Sequence, residues 1–255
     1  MKIKAIIVDL DRTLLRSDKT ISKYSEEVLK KCQTRGIKVL VATARPWRTM
    51  EAFLQVIPFD AQTVSNGARI LCGEEKKEFP ICLEDVERIL GVLRVKDTLK
   101  VTLETGEVAY SNLPVKEYET ILSEDLLGRA KKEGALKILV HLEDPCDLEI
   151  IKKHLPKQVC YTIAHGTLLQ IQNQEATKWN GVRTMLEFIG CLPEEAIYFG
   201  DDWDDIQSIQ KCGLGIAMGN ALAEVKDAAD EVTETNDEDG VARYLERYLL
   251  DTSSL

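Results

Sequence analysis

The chain has 255 residues, 44% of them hydrophobic and 30% charged, with a formal net charge of −10. That is enough for one sizeable domain or a core plus a smaller one, and no apolar run approaches membrane-spanning length. The acidic balance argues against nucleic acid as a partner, because affinity for a phosphate backbone needs clustered Lys and Arg.

The N-terminus runs directly into strand without a signal peptide, which fits a soluble cytoplasmic protein. Ile6 to Val8 read as a buried strand that carries Asp9 and Asp11 to its C-terminal end, where ligands bind in an open parallel sheet. A helix spans Ser22 to Arg35, with Ser22 as cap and Gly36 as stop. Ile37 to Ala42 form a second buried strand, ending in Thr43 and Arg45 just before a helix expected from Pro46. A hydroxyl, a guanidinium and free helix N–H groups at one strand end would make a phosphate cradle. Gln62 to Ser65 give a third strand, and Ala68 to Phe79 a hairpin leading out of the core.

A mixed region follows. Helices are expected at Leu83 to Leu93, Val115 to Leu122 and Asp147 to His154. Strands are expected at Leu99 to Leu103, Glu107 to Tyr110, Leu136 to Leu142, Val159 to Ile163 and Leu168 to Ile171. This α+β pattern suits an open antiparallel sheet covered by helices on one face. The core alternation resumes at Lys178, isolated in a polar stretch before a helix, and continues to a C-terminal helix over Val241 to Leu250. The whole predicts an α/β fold: a doubly wound, Rossmann-like parallel-sheet core over residues 1–79 and 164–255, with an inserted α+β domain over 80–163.

Ala196 to Gly200 read as a short apolar strand followed by Asp201, Asp202, Asp204 and Asp205. Two like charges ~4 Å apart repel by roughly 4 kcal/mol at an effective dielectric of about 20, so a converging cluster implies a bound cation, a Lys, or both. Taken singly, each segment has an ordinary reading as a polar turn, a helix cap or a solvated charge. The cysteines show no paired spacing, and His141, His154 and His165 no metal-ligand spacing, so both sets read as ordinary residues. Gly213 to Gly219 have the wrong glycine spacing for a dinucleotide loop.

In order, Asp9-Leu10-Asp11-Arg12-Thr13-Leu14, Thr43-Ala44-Arg45, Lys178 and Gly200-Asp201-Asp202-Trp203-Asp204-Asp205 resemble the four motifs of haloacid-dehalogenase-like (HAD) phosphatases. Val64 to Ala68, Ala217 to Ala221 and Glu238 to Ala242 are similar to segments of the Cof-type subgroup, in which a large cap is inserted after the third strand. The family usually has Gly at Arg12, Ala44 and Trp179, and Asn at Asp204. Arg12 and Trp179 are expected to add bulk near the site, and Asp204 to alter how a metal is held.

The resemblance implies a phosphatase for small phosphorylated metabolites such as sugar phosphates. Asp9 would attack phosphorus to form an aspartyl-phosphate, and Asp11 would act as general acid and base. Mg²⁺ would be held by Asp9, the main-chain carbonyl of Asp11, and Asp201, with Asp205 close by. Thr43 and Lys178 would hold the phosphoryl oxygens, with Arg45 and Asn66 reaching the phosphate or its ester. Three alternatives stay open: a sugar phosphomutase using the same aspartyl-phosphate, a receiver-like signalling module, and an inactive phospho-ligand-binding protein. The chain carries no signature of oligomeric state.

Overall fold

The computed structural model describes residues 2–94, 98–142, 144–164 and 166–250, so His165 lies outside the described residues. The chain divides into two compact units, one of residues 1–45, 49–77 and 177–255, the other of residues 46–48 and 78–176.

In chain order the first unit contains β1 (Ala5–Val8), α1 (Lys23–Thr34), β2 (Lys38–Ala42), α2 (Glu51–Val56), β3 (Ala61–Val64), β4 (Arg69–Cys72) and β5 (Glu75–Glu78). The second unit contributes α3 (Leu83–Leu93), β6 (Lys100–Glu104), β7 (Ala109–Ser111), β8 (Ile121–Leu122), α4 (Leu126–Glu133), β9 (Lys137–His141), α5 (Pro145–His154), β10 (Val159–Ala164) and β11 (Leu168–Asn173). The chain then returns to the first unit with α6 (Lys178–Phe188), β12 (Ala196–Gly200), α7 (Ile206–Lys211), β13 (Leu214–Ala217), α8 (Ala223–Ala228), β14 (Glu231–Val232) and α9 (Gly240–Leu245). Glu246–Leu250 extend α9 by a more widely wound turn.

The first unit is an eight-stranded sheet in the order β14-β13-β12-β1-β2-β3-β4-β5. Neighbours from β14 to β3 run parallel, and β4 turns back antiparallel to β3. Every residue of β1 and β12 is buried, as a central parallel strand covered on both faces requires. Each fully buried Val, Ile or Phe there contributes roughly 1.5–3 kcal/mol of transfer free energy. The register sets up the site: Val8 lies opposite Val41 of β2 and Phe199 of β12, so all three strands end at one level. Asp9, Thr43 and Asp201 follow those ends.

α1 behaves as its sequence predicts. Ser22 accepts a hydrogen bond from the Ser25 amide at the N-terminus, while Gly36 takes φ +83 beyond the C-terminus. The helix expected at Pro46 differs. It is a single turn, Trp47–Thr49, and α2 starts only at Glu51. Thr43 and Arg45 therefore do not sit at a helix N-terminus, and that part of the expected cradle is absent.

The second unit is a six-stranded sheet in the order β10-β11-β9-β6-β7-β8. It is antiparallel except where β8 joins β7 in parallel. Val101, Leu103, Ile138, Val140, Leu169 and Ile171 point to one face and pack with Val86, Ile89 and Leu90 of α3, Leu126 of α4 and Ile151 of α5. The alternate residues make a polar second face. There Arg48 pairs with Glu104 at 2.9 Å, and the Tyr118 hydroxyl meets Thr102 Oγ1 at 3.1 Å and His141 Nε2 at 3.2 Å.

Two expectations fail in this region. No helix forms over Val115 to Leu122; the segment is irregular and ends in β8, while the helix is α4, beyond it. Asp125 caps α4 by accepting from the Gly128 amide, a start signal outweighed in the sequence by the apolar spacing just before it. The expected return to the core at residue 164 also comes too early. β11 pairs with both β10 and β9, so it belongs to the second sheet, and the first unit resumes at Thr177.

Candidate active site

Asp9 follows β1 and is 5% exposed. Lys178 opens α6, whose cap is the Thr177 hydroxyl accepting from the Asn180 amide. The helix starts close against β3 because two glycines permit it: a Cβ on Gly181 would lie 2.1 Å from Thr63 Oγ1, and one on Gly67 2.0 Å from the Thr177 carbonyl. That approach carries the Lys178 ammonium to 3.0 Å from Asp9 Oδ1, 2.6 Å from Asp205 Oδ1 and 3.0 Å from Asp204 Oδ1. The counter-charge expected for the acidic cluster is this lysine.

Asp205 is saturated. Its Oδ1 also accepts the Tyr198 hydroxyl at 2.6 Å, and its Oδ2 accepts the amides of Asp201 and Asp202 at 3.0 and 3.1 Å. Gly200 makes room, since a Cβ there would meet Asp205 Cγ at 2.5 Å. Asp201 is less engaged: Oδ1 accepts the Thr13 hydroxyl at 2.9 Å, and Oδ2 lies 3.6 Å from Arg12 Nε.

Oxygens of Asp9, Asp201 and Asp205 lie within 4.8 Å of one another. Three buried hard-oxygen donors around one point fit a small divalent cation. The electrostatics agree. Burial pushes the Asp9 carboxyl well above its ordinary range, and Asp205, Asp204 and Asp201 push it further, against the pull of Lys178. Burial and then Asp205 bring Asp201 up to about 6. Although burial works against its charge, Lys178 is held well above the ordinary lysine range by Asp204, Asp205 and Asp9.

Asp11 points elsewhere. Its carboxylate receives Arg45 Nε at 2.6 Å and Nη2 at 2.8 Å, and Lys19 Nζ at 2.9 Å. Partial burial opposes them, yet these two cations hold the Asp11 carboxyl below its ordinary value. Thr43 is buried, with its Oγ1 accepting the Arg45 amide at 3.1 Å and its carbonyl accepting the Asn66 amide at 3.1 Å. Asn66 takes φ +60, and its Oδ1 is buried without a partner among the described residues. The structure thus joins Asp9, Lys178, Asp201 and Asp205 directly, and Asp11, Arg45, Thr43 and Asn66 as a second group.

Tyr198, Thr13 and Lys19 join the site without a role expected from the sequence. Tyr198 is indistinguishable from the other buried residues of its strand, but the Thr13 hydroxyl, two residues past Asp11, was a usable signal. Trp179 also departs from expectation. It is buried, with Lys211 Nζ 5.0 Å over its ring, so it packs inside the first unit and adds no bulk at the strand ends.

A haloacid dehalogenase-like hydrolase profile matches residues 6–245 of the chain. A protein from Haemophilus influenzae described as a putative phosphatase is 28% identical, over 96% of this chain and 98% of its own length. The 5-amino-6-(5-phospho-D-ribitylamino)uracil phosphatase YitU of Bacillus subtilis is 26% identical, over 95% of this chain and 96% of its own. The crystal structure of a haloacid dehalogenase-like hydrolase from Bacteroides thetaiotaomicron superimposes with a TM-score of 0.86 at 28% identity, over 96% of this chain and 99% of that one. With its four motif segments gathered at the ends of one parallel sheet, the chain belongs to the haloacid dehalogenase-like hydrolases, in their Cof-type subgroup.

Proposed function

We propose that the protein is a Mg²⁺-dependent phosphatase of small phosphomonoesters that works through a phosphorylated Asp9. The observation that carries this reading is the position of Asp9, buried at the end of β1, 3.0 Å from the Lys178 ammonium and in one cluster with Asp201 and Asp205.

Among the described residues only Oδ1 of Asp9 is hydrogen-bonded, which leaves Oδ2 as the attacking oxygen. Attack breaks the bond between phosphorus and the ester oxygen and splits one hard displacement into two easier ones. Lys178 steadies Asp9 and offsets charge on the phosphoryl oxygens, and Thr43 and Asn66 offer further donors at the neighbouring strand end. Asp11 gives a proton to the leaving alkoxide and later takes one from the water that hydrolyses the aspartyl-phosphate. Because Arg45 and Lys19 favour the ionised Asp11, substrate entry must loosen that clamp before proton donation. Asp9, the Asp11 carbonyl and Asp201 would hold Mg²⁺, which when bound neutralises the carboxylates and polarises the phosphoryl oxygens. Asp205 serves as a positioning residue for Lys178 and the Asp201 amide. The named substrate of the Bacillus subtilis relative, a ribityl phosphate ester, supports a small polyol or sugar phosphate as the substrate class.

The test is phosphate release from a panel of sugar, polyol, nucleotide and pyridoxal phosphates with Mg²⁺, together with acid-quench mass spectrometry for phosphate on Asp9. Turnover that depends on Asp9 is expected. Label on another residue, or no release from any ester, would overturn the reading.

A further inference from the structure

Arg12 stands in a position that a side chain rarely adopts, φ +62, directly beside the acidic centre. Its side chain is held there. Arg12 Nη2 donates to the Asn220 carbonyl at 3.0 Å, and Asn220 Nδ2 donates back to the Arg12 carbonyl at 2.8 Å. Asn220 is anchored in turn, because its Oδ1 accepts the Asn236 amide at 2.9 Å. This reciprocal clasp leaves Arg12 Nε 3.6 Å from Asp201 Oδ2, the oxygen that Thr13 does not engage.

We propose that Arg12 is a built-in competitor for the cation at Asp201, one that sets how tightly Mg²⁺ binds. The inference rests on the metal reading of the centre given above. A fixed positive charge at the outer oxygen of a metal-binding carboxylate acts in two ways. It stabilises that carboxylate while no cation is bound, and it repels a dication that arrives at the same carboxylate. Lys178 also acts on Asp201, but less than Arg12 does, because its ammonium pairs directly with Asp9, Asp204 and Asp205. The Arg12 side chain is 55% exposed, so solvent screens the effect without removing it. The expected consequence is a weaker, readily exchanged Mg²⁺ site, regulated by ionic strength.

The test is Mg²⁺ affinity by isothermal titration calorimetry, without substrate, on the full chain and on Arg12→Gln, Arg12→Lys and Asp201→Asn. Arg12→Gln removes the charge while keeping a long polar side chain, and should bind Mg²⁺ roughly three- to fivefold more tightly at low salt. The gap should shrink as salt rises toward ~1 M. Arg12→Lys should stay within about twofold of the parent, because the charge remains. Equal or weaker binding by Arg12→Gln, with both variants folded by circular dichroism, would overturn the proposal and leave Arg12 as a structural clasp. The metal reading is judged separately: if the parent binds no Mg²⁺, or Asp201→Asn binds it as well as the parent, the centre is wrongly assigned and this inference falls with it.

Discussion

Tyr198 of β12 and Asp205 of the turn that follows it are joined by a 2.6 Å hydrogen bond, between two side chains that both lie fully buried. The bond orients a carboxylate that in turn holds Lys178 and the start of the acidic loop, so a residue of the core supports the site from beneath.

Tyr198→Phe should therefore cost about 1.5–3 kcal/mol, the usual range for a buried hydrogen bond to a charged group. Denaturant unfolding measures it. The Mg²⁺ requirement should rise only modestly, since Lys178 and two amides still hold Asp205. No loss of stability would show that Asp205 is held without the tyrosine.

Asp9→Asn should lower turnover by several orders of magnitude, because an amide cannot serve as the attacking nucleophile. Without Mg²⁺ the variant should melt at the same temperature as the parent or higher. Burial and the neighbouring carboxylates make the ionised Asp9 costly, and Lys178 keeps Asp204 and Asp205. Near-native turnover would remove Asp9 from the role.

Asp201→Asn should raise the Mg²⁺ concentration for half-maximal activity more than Asp205→Asn does. Both Asp205 oxygens are already filled by protein donors, whereas Asp201 Oδ2 faces only Arg12 Nε, at 3.6 Å. Asp205→Asn should chiefly lower the melting temperature. Equal Mg²⁺ requirements would mean that Asp205 ligates the metal directly.

The pH dependence of the metal-free protein follows from Asp201, pushed up to about 6 from 3.8. A carboxyl whose folded value is raised is protonated more readily folded than unfolded. Its ionisation therefore removes stability as pH climbs from about 4 through about 6, by at most about 3 kcal/mol. Relative to Asp201→Asn, the parent should lose melting temperature over that window when Mg²⁺ is absent. Mg²⁺ should restore it at pH 7 and do so less below pH 6, where the ligand takes up a proton. A parallel pH course in both proteins would dismiss Asp201 as the titrating group.

Much of this protein is legible in the chain itself. Uninterrupted apolar runs such as Ala5–Val8 and Ala196–Gly200, in alternation with helical segments, read as central parallel strands, and Asp9, Thr43 and Asp201 directly after such runs are then expected at one end of the sheet. Local signals also placed α1 and α3, because the Ser22 cap and the apolar spacing of Val86, Ile89, Leu90 and Leu93 act within a single helix. Tertiary structure decided what depends on partners distant in sequence. Leu168 to Ile171 read as a strand but fall on the core side of the expected boundary at 164, and only pairing with β9 and β10 assigns β11 to the second sheet. Tyr198 has the pattern of any core residue, and its role appears only when α7's leading turn brings Asp205 beneath it. Arg12 and Asp201 are 189 residues apart in the sequence, so no periodicity could pair them. Their meeting depends on β1 and β12 lying side by side in register, which is fixed by the burial of both strands at once.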